Sequence, residues 1–278
     1  MTWLRSIHPR PEADTVLVCF PHAAGSASFF RDWARELTDF DLHSVQYPGR
    51  GDRMGDPLPT DVVEMARGVR ESLEPLLDRP IALFGHSMGA IVAFEVARAL
   101  QADGAHVPHL FVSGARAAHD SDCAPVGAAQ RSDESIMRSL AKLGGTHAEL
   151  LNDPLLAELV MPYVRADFVM FENYEYVPGP KLTCPVTAVN GDADSHCTDD
   201  RALRWSELTT GKFAQHVSPG EHFYLIQHPP VGLIRDALTA GVPGRRVFAH
   251  TTDAAELDAD HKAIQTLKDH VYRIGARA

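Results

Sequence analysis

At 278 residues the chain is long enough for one large α/β domain with an ample core, or for two small ones. It is 45% hydrophobic and 23% charged, and its formal net charge of -11 excludes general nucleic-acid binding, which needs a basic face. No stretch is long and apolar enough to span a bilayer, and the first residues lack the apolar run of a secretion signal, so a cytoplasmic protein without a membrane partner is expected.

Four cysteines (Cys19, Cys123, Cys184, Cys197) are scattered without a C-x-x-C pair and read as buried free thiols. No cluster has the spacing of a metal site, and His196 beside Cys197 has no second pair to join it.

Residues 1–14, rich in Pro and charge, read as an exposed lead-in. Thr15 to Phe20 is a continuous apolar run, the pattern of a strand buried on both faces of a parallel sheet. After the small-residue turn 21–26 a helix is expected from Ser28 to Leu37, with Phe29, Phe30, Trp33 and Leu37 on one face. A strand over 42–47 and the loop 48–53 follow. Thr60 or Asp61 can cap a helix running to Leu77. Ile81 to Phe84 is the next apolar strand. It enters Gly85-His86-Ser87-Met88-Gly89, a G-x-S-x-G match, and a helix over 90–100 leaves it. Leu110 to Gly114 is another strand. The alternation βαβαβαβ predicts a mostly parallel, doubly wound sheet.

From Ala115 to Tyr176 no strand pattern appears. Helices are expected over 133–143, 154–161 and 162–173, with Gly144-Gly145 separating the first two. Such an insertion reads either as a lid over the site or as a fixed helical layer. The sheet pattern resumes at 185–190, leads into Gly191-Asp192-Ala193-Asp194 and a short helix over 200–208, and ends with a strand over 213–217. The loop 218–222 and a closing helix over 231–240 complete a core of residues 1–243. Residues 244–278 form an extension. There a helix is expected from Asp258 to Ile274, and Leu257, Ile264, Leu267, Val271 and Ile274 share one helical stripe, suited to docking on the body, to a second copy or to a partner.

A glycine turn between strand and helix forces the serine into a strained, exposed position, with the Met88 N–H free beside it. A serine hydroxyl needs a histidine base, and that histidine a carboxylate. Among 15 histidines, His222 stands in the loop past the last strand, where strand ends gather a site. His86 points elsewhere in an elbow, His216 lies within a strand, His228 lies in a helix or at its end, and His196 precedes the last strand. Asp194 is favoured as the carboxylate over Asp192, which is expected to bond backbone in its own turn. Asp199 and Asp200 read as a helix N-terminus. The second oxyanion donor is expected to be the Ala23 N–H. His22 either touches substrate or shapes this turn. Arg50 and Arg53 can pair with a phosphate or carboxylate, or be held by local bonds in a solvated loop.

Together these motifs resemble the type II thioesterases, free-standing enzymes of the α/β-hydrolase fold associated with polyketide synthases and non-ribosomal peptide synthetases. The resemblance spans residues 15–240. It rests on Phe20-Pro21-His22-Ala23 with Gly25-Ser26-Ala27, Tyr47-Pro48-Gly49-Arg50-Gly51, the serine motif, Leu143-Gly144-Gly145-Thr146, Arg165-Ala166-Asp167-Phe168, Gly191-Asp192-Ala193-Asp194 and Gly220-Glu221-His222-Phe223. It implies a triad of Ser87, Asp194 and His222, an oxyanion hole of Ala23 and Met88, and editing of acyl groups carried on the phosphopantetheine arm of acyl or peptidyl carrier proteins. No cofactor of its own is implied, and a monomer is expected. A product-releasing thioesterase, an acyltransferase, a simple carboxylesterase and a non-catalytic binding module are the alternatives. Three features depart from the family: Ala24 stands for glycine, His147 stands for proline, and the tail beyond Gly244 is longer.

Overall fold

The computed structural model describes residues 3–120, 132–143 and 154–240. Cys123, Gly144 to Thr146, His147 and the amphipathic stretch 258–274 lie outside the described residues.

A seven-stranded sheet has the order β1-β3-β2-β4-β5-β6-β7. The strands are β1 Leu4–Ser6, β2 Val16–Phe20, β3 Asp41–Val45, β4 Ile81–His86, β5 Leu110–Ser113, β6 Val186–Gly191 and β7 Phe213–Ser218. All neighbours pair in parallel except β1, which runs antiparallel to β3. The doubly wound, mostly parallel sheet is therefore as the alternation implies. The lead-in is not wholly an exposed arm, because Leu4–Ser6 closes one sheet edge. Three residues are too few to show an alternation in sequence, and the neighbouring strand supplies the pairing.

Helices cover both faces. The helices are α1 Trp33–Glu36, α2 Val62–Ser72, α3 Met88–Ala102, α4 Asp133–Leu143, α5 Pro154–Glu172, α6 Asp199–Leu203 and α7 Val231–Thr239. Because side chains alternate along a strand, Val16, Val18 and Phe20 of β2 face α2 and α3. Leu17 and Cys19 face Phe30, Trp33, Leu37 and Ile234 on the other side. Each fully buried aliphatic side chain contributes roughly 1.5–3 kcal/mol, so the continuous apolar runs of β2, β4 and β6 secure the sheet centre.

Asp61 caps α2 by accepting the Glu64 N–H at 2.8 Å. The helix expected over 28–37 is instead a 3₁₀ turn, Ala27–Phe30, followed by the short α1. The expected helices 154–161 and 162–173 are one helix, α5, with Pro162 inside it. Proline removes a single helical bond, and here packing of both halves outweighs that loss. Between residues 115 and 176 no strand occurs among the described residues. There α4 and α5 pack together through Ile136, Leu140, Met161 and Val164, and Ala24 of the turn after β2 joins this cluster.

Candidate active site

The elbow follows from two close approaches of backbone. A Cβ on Gly85 would lie 2.2 Å from the Gly89 carbonyl oxygen, and a Cβ on Gly89 would lie 2.2 Å from that of Phe20. Strand β4 can thus turn into α3 within one residue, and Ser87 takes the strain with φ 56° and ψ −123°. Its N–H bonds the Ser113 carbonyl at 2.8 Å, which fixes the elbow to β5. Met88 opens α3, so its N–H is one of the donors without an intrahelical acceptor.

Three strand ends converge here. His222, in the loop after β7, places Nε2 3.0 Å from Ser87 Oγ. Its Nδ1 lies 2.8 Å from Asp194 Oδ2, in the loop after β6. A carboxylate only accepts, so Nδ1 carries the proton and Nε2 is left as the acceptor for the serine hydroxyl. Asp194 Oδ1 accepts the N–H groups of His196 at 2.8 Å and Cys197 at 3.2 Å. Burial pushes the Asp194 carboxyl up, but the His222 hydrogen bond and charge and the two N–H groups outweigh it and hold its pKa below the usual 3.8. Ser87 Oγ can pass its proton to Nε2, and Asp194 can stabilise the imidazolium that forms.

The competing residues lie elsewhere. Asp192 is exposed and bonds backbone, though not in its own turn: Oδ1 accepts the Gly220 N–H at 2.8 Å, across to the histidine loop. Asp199 and Asp200 open α6 as expected. His216 is exposed on β7, and His228 is exposed just beyond a 3₁₀ turn rather than in a helix. His196 sits beside the site, its ring centroid 5.8 Å from that of His222.

The turn after β2 carries Ala23. Its next residue, Ala24, has φ 67°, a left-handed conformation that costs a residue with a Cβ about 1–2 kcal/mol. Here the methyl group packs on the α4–α5 cluster. His22 is buried among Phe29, Phe223 and His86, all edge-on. Arg50 is not available to a substrate phosphate or carboxylate. It is buried and makes a two-pronged pair with Asp167, and its guanidinium lies over the Tyr163 ring. Arg53 is held locally, as one reading expected, but it is buried rather than solvated. It bonds Asp56 at 2.7 Å and the Gln46 carbonyl at 3.0 Å, and lies over Trp3.

Two contacts escape a sequence reading, which places Asp167 and His86 in motifs but does not supply their partners. Asp167 is fully buried, and the sequence signal for it is a lone acid on an otherwise apolar helix face. His86 bonds Ser113 Oγ at 2.9 Å, which in turn meets the Tyr224 hydroxyl at 2.6 Å. Burial, then the nearby His222 and His22, push the His86 pKa well below 6.5, so this ring is neutral at pH 7.

A family model for the thioesterase domain matches residues 15–239. The chain belongs to the thioesterase family. It is 40% identical over 261 residues to the thioesterase PikA5 of Streptomyces venezuelae, covering 91% of this chain and 92% of that one. Among solved structures it superposes on the type II thioesterase BorB from the borrelidin biosynthetic cluster with TM-score 0.78 and 39% identity. That match covers 85% of this chain and 97% of BorB. RedJ, from the prodiginine pathway in Streptomyces coelicolor, gives TM-score 0.76 and 36% identity, covering 83% of this chain and 93% of RedJ. The thioesterase is a hydrolase of α/β-hydrolase fold, and among its described residues no helix is long and apolar enough to cross a membrane.

Proposed function

We propose that this thioesterase hydrolyses acyl groups from the phosphopantetheine arm of acyl or peptidyl carrier proteins in polyketide or non-ribosomal peptide assembly, as an editing enzyme. The hydrogen-bonded line from Ser87 through His222 to Asp194 is the observation that carries the reading. Ser87 Oγ attacks the thioester carbonyl carbon while Nε2 of His222 takes its proton. The oxyanion is met by the N–H groups of Met88 and Ala23. The C–S bond breaks, the thiolate leaves with the carrier, and the acyl group remains as an ester on Ser87. Water then attacks that ester, His222 again takes a proton, and the free acid departs with Ser87 restored. The pantetheine arm belongs to the partner, so the enzyme needs no cofactor, and it acts as a cytoplasmic monomer. Helices α4 and α5 of the insertion cover the acyl group as a lid.

The test is hydrolysis of a panel of acyl-carrier thioesters, with the matching free esters as controls and Ser87→Ala beside the native enzyme. Several short acyl groups released as free acids, with no transfer to added amines or alcohols, are expected. Preference for one mature chain would reassign the enzyme to product release, and turnover surviving in Ser87→Ala would reject the mechanism.

A further inference from the structure

A charged pair sealed from solvent joins the helical layer to the oxyanion turn. Asp167 lies on α5 with 0% exposure, and Arg50, in the loop after β3, with 2%. Nη1 and Nη2 of Arg50 reach Oδ2 and Oδ1 of Asp167 at 2.6 and 2.7 Å. A buried ion pair of this kind is weak evidence for stability, because apolar residues of equal volume often serve as well. Each partner has a further contact, and both contacts are on the same turn. Asp167 Oδ2 accepts the Ala24 N–H at 2.8 Å, and Arg50 Nη1 donates to the Gly25 carbonyl at 3.2 Å.

Among the described residues Ala24 and Ser87 are the two non-glycine residues at positive φ. Such conformations persist where the surroundings over-determine them. At Ala24 the surroundings combine the apolar α4–α5 cluster around its methyl group with this pair, which holds its N–H. With Ala24 held left-handed, the Gly25 N–H closes on the His22 carbonyl at 2.9 Å. The His22 carbonyl and the Ala23 N–H lie in one rigid peptide plane and point opposite ways. Fixing the carbonyl therefore fixes the direction of the Ala23 N–H.

We propose that Asp167, held by Arg50, is a positioning residue for the oxyanion turn: an acid from α5 and a base from the loop after β3 clamp Ala24 and Gly25 and so aim the Ala23 N–H. The proposal rests on the reading of Ala23 as an oxyanion donor. It makes the docking of α5 a condition of catalysis, since the helix cannot shift without taking the Ala24 anchor with it.

The experiment compares two variants of the full chain that both remove the charges. Arg50→Met with Asp167→Asn keeps an amide oxygen for the Ala24 N–H. Arg50→Met with Asp167→Leu offers none. Both are measured with a trifluoromethyl ketone, which forms a tetrahedral adduct with the serine, and with a non-hydrolysable thioether of the same acyl chain. The expected result is adduct affinity and kcat lower by about 10²-fold in the leucine variant than in the asparagine variant, within the range for loss of one oxyanion donor. Thioether affinity and KM should differ by less than about threefold, since ground-state binding does not use the oxyanion donor. Equal adduct affinity in the two variants, or a loss confined to KM and thioether binding, overturns the proposal. Should the leucine variant fail to fold, Arg50→Met with Asp167→Ala is read against the asparagine variant by the same criteria. The ¹⁹F resonance of the adduct separates the two levels. If the native enzyme forms no adduct at Ser87, the reading of the site fails. If it forms one that is indifferent to residue 167, the clamp alone fails.

Discussion

The Asp192 carboxylate accepts the Gly220 N–H at 2.8 Å and so ties the loop carrying Asp194 to the loop carrying His222. Backbone bonds reinforce the joint, from the Asp192 N–H to Ser218 and from the Ala193 N–H to Gly220. Two acids one residue apart in the same loop therefore have different tasks: Asp192 holds the loops in register, and Asp194 holds the imidazole. Asp194→Asn is expected to lower kcat by about 10³–10⁴-fold, because an amide allows the wrong histidine tautomer. Asp192→Asn keeps an oxygen acceptor for Gly220 and should lower kcat by less than about fivefold. Steady-state hydrolysis of one acyl thioester by both variants checks this, and the reverse ranking would refute the assignment.

The buried thiols give a second expectation. Cys19, Cys184 and Cys197 are free and buried. Burial pushes the thiol of Cys184 up to about 11 and that of Cys197 to about 12, and that of Cys19 higher still. Thiolate, the reactive form, is therefore scarce at neutral pH, and reagents lack access. Iodoacetamide at pH 8 should leave these three unmodified in the native protein and alkylate all of them in urea. Peptide mass spectrometry reads the outcome, and rapid native labelling at Cys197 would show that the loop beside Asp194 opens.

Much of this was legible in the chain because the deciding residues obey local rules. Gly85 and Gly89 announce the elbow, since no side chain fits where backbone approaches backbone. The order of Ser87, Asp194 and His222 follows the order of the parallel strands β4, β6 and β7, which lie in that sequence across the sheet with β5 between the first two. What stayed hidden was set by distant partners. Arg50 reads as a free cation beside a mouth until α5 brings Asp167, 117 positions away, against it. Leu4–Ser6 has no strand pattern of its own and is a strand because β3 offers an open edge. Ala24 reads as a liability in a glycine position, and only the α4–α5 cluster shows where its methyl group goes.

Acid should erase a defined part of the stability. The fold lowers the Asp194 pKa below 3.8, so the ionised carboxylate is favoured in the folded state. A group with a depressed folded pKa contributes fully above its unfolded value, and that contribution is lost as pH falls through the folded one. Native protein should therefore lose part of its margin in melting temperature over Asp194→Ala as the carboxylate becomes protonated. The margin should shrink below about pH 4. Thermal melts between about pH 5 and 2 test it, and a margin that widens steadily down to the acid end of that range would contradict the direction of the shift.

The strain at Ser87 can be measured without reference to chemistry. Ser87→Ala and Ser87→Gly both remove the hydroxyl and its bond to His222, so neither should turn over, and their difference reports the backbone alone. At φ 56° alanine retains the clash of its Cβ, whereas glycine adopts the conformation freely. Relief of strain of about 1–3 kcal/mol is partly offset by the roughly 0.5–1 kcal/mol that glycine loses in chain entropy. Ser87→Gly should thus be the more stable of the two by about 1 kcal/mol in urea unfolding. Gly89→Ala is the opposite case, since its added methyl meets the Phe20 carbonyl at 2.2 Å. It should cost about 3 kcal/mol or more as β2 and α3 are driven apart. If Ser87→Gly proves no more stable than Ser87→Ala, the elbow stores no strain, and its shape is set wholly by the two glycines that flank it.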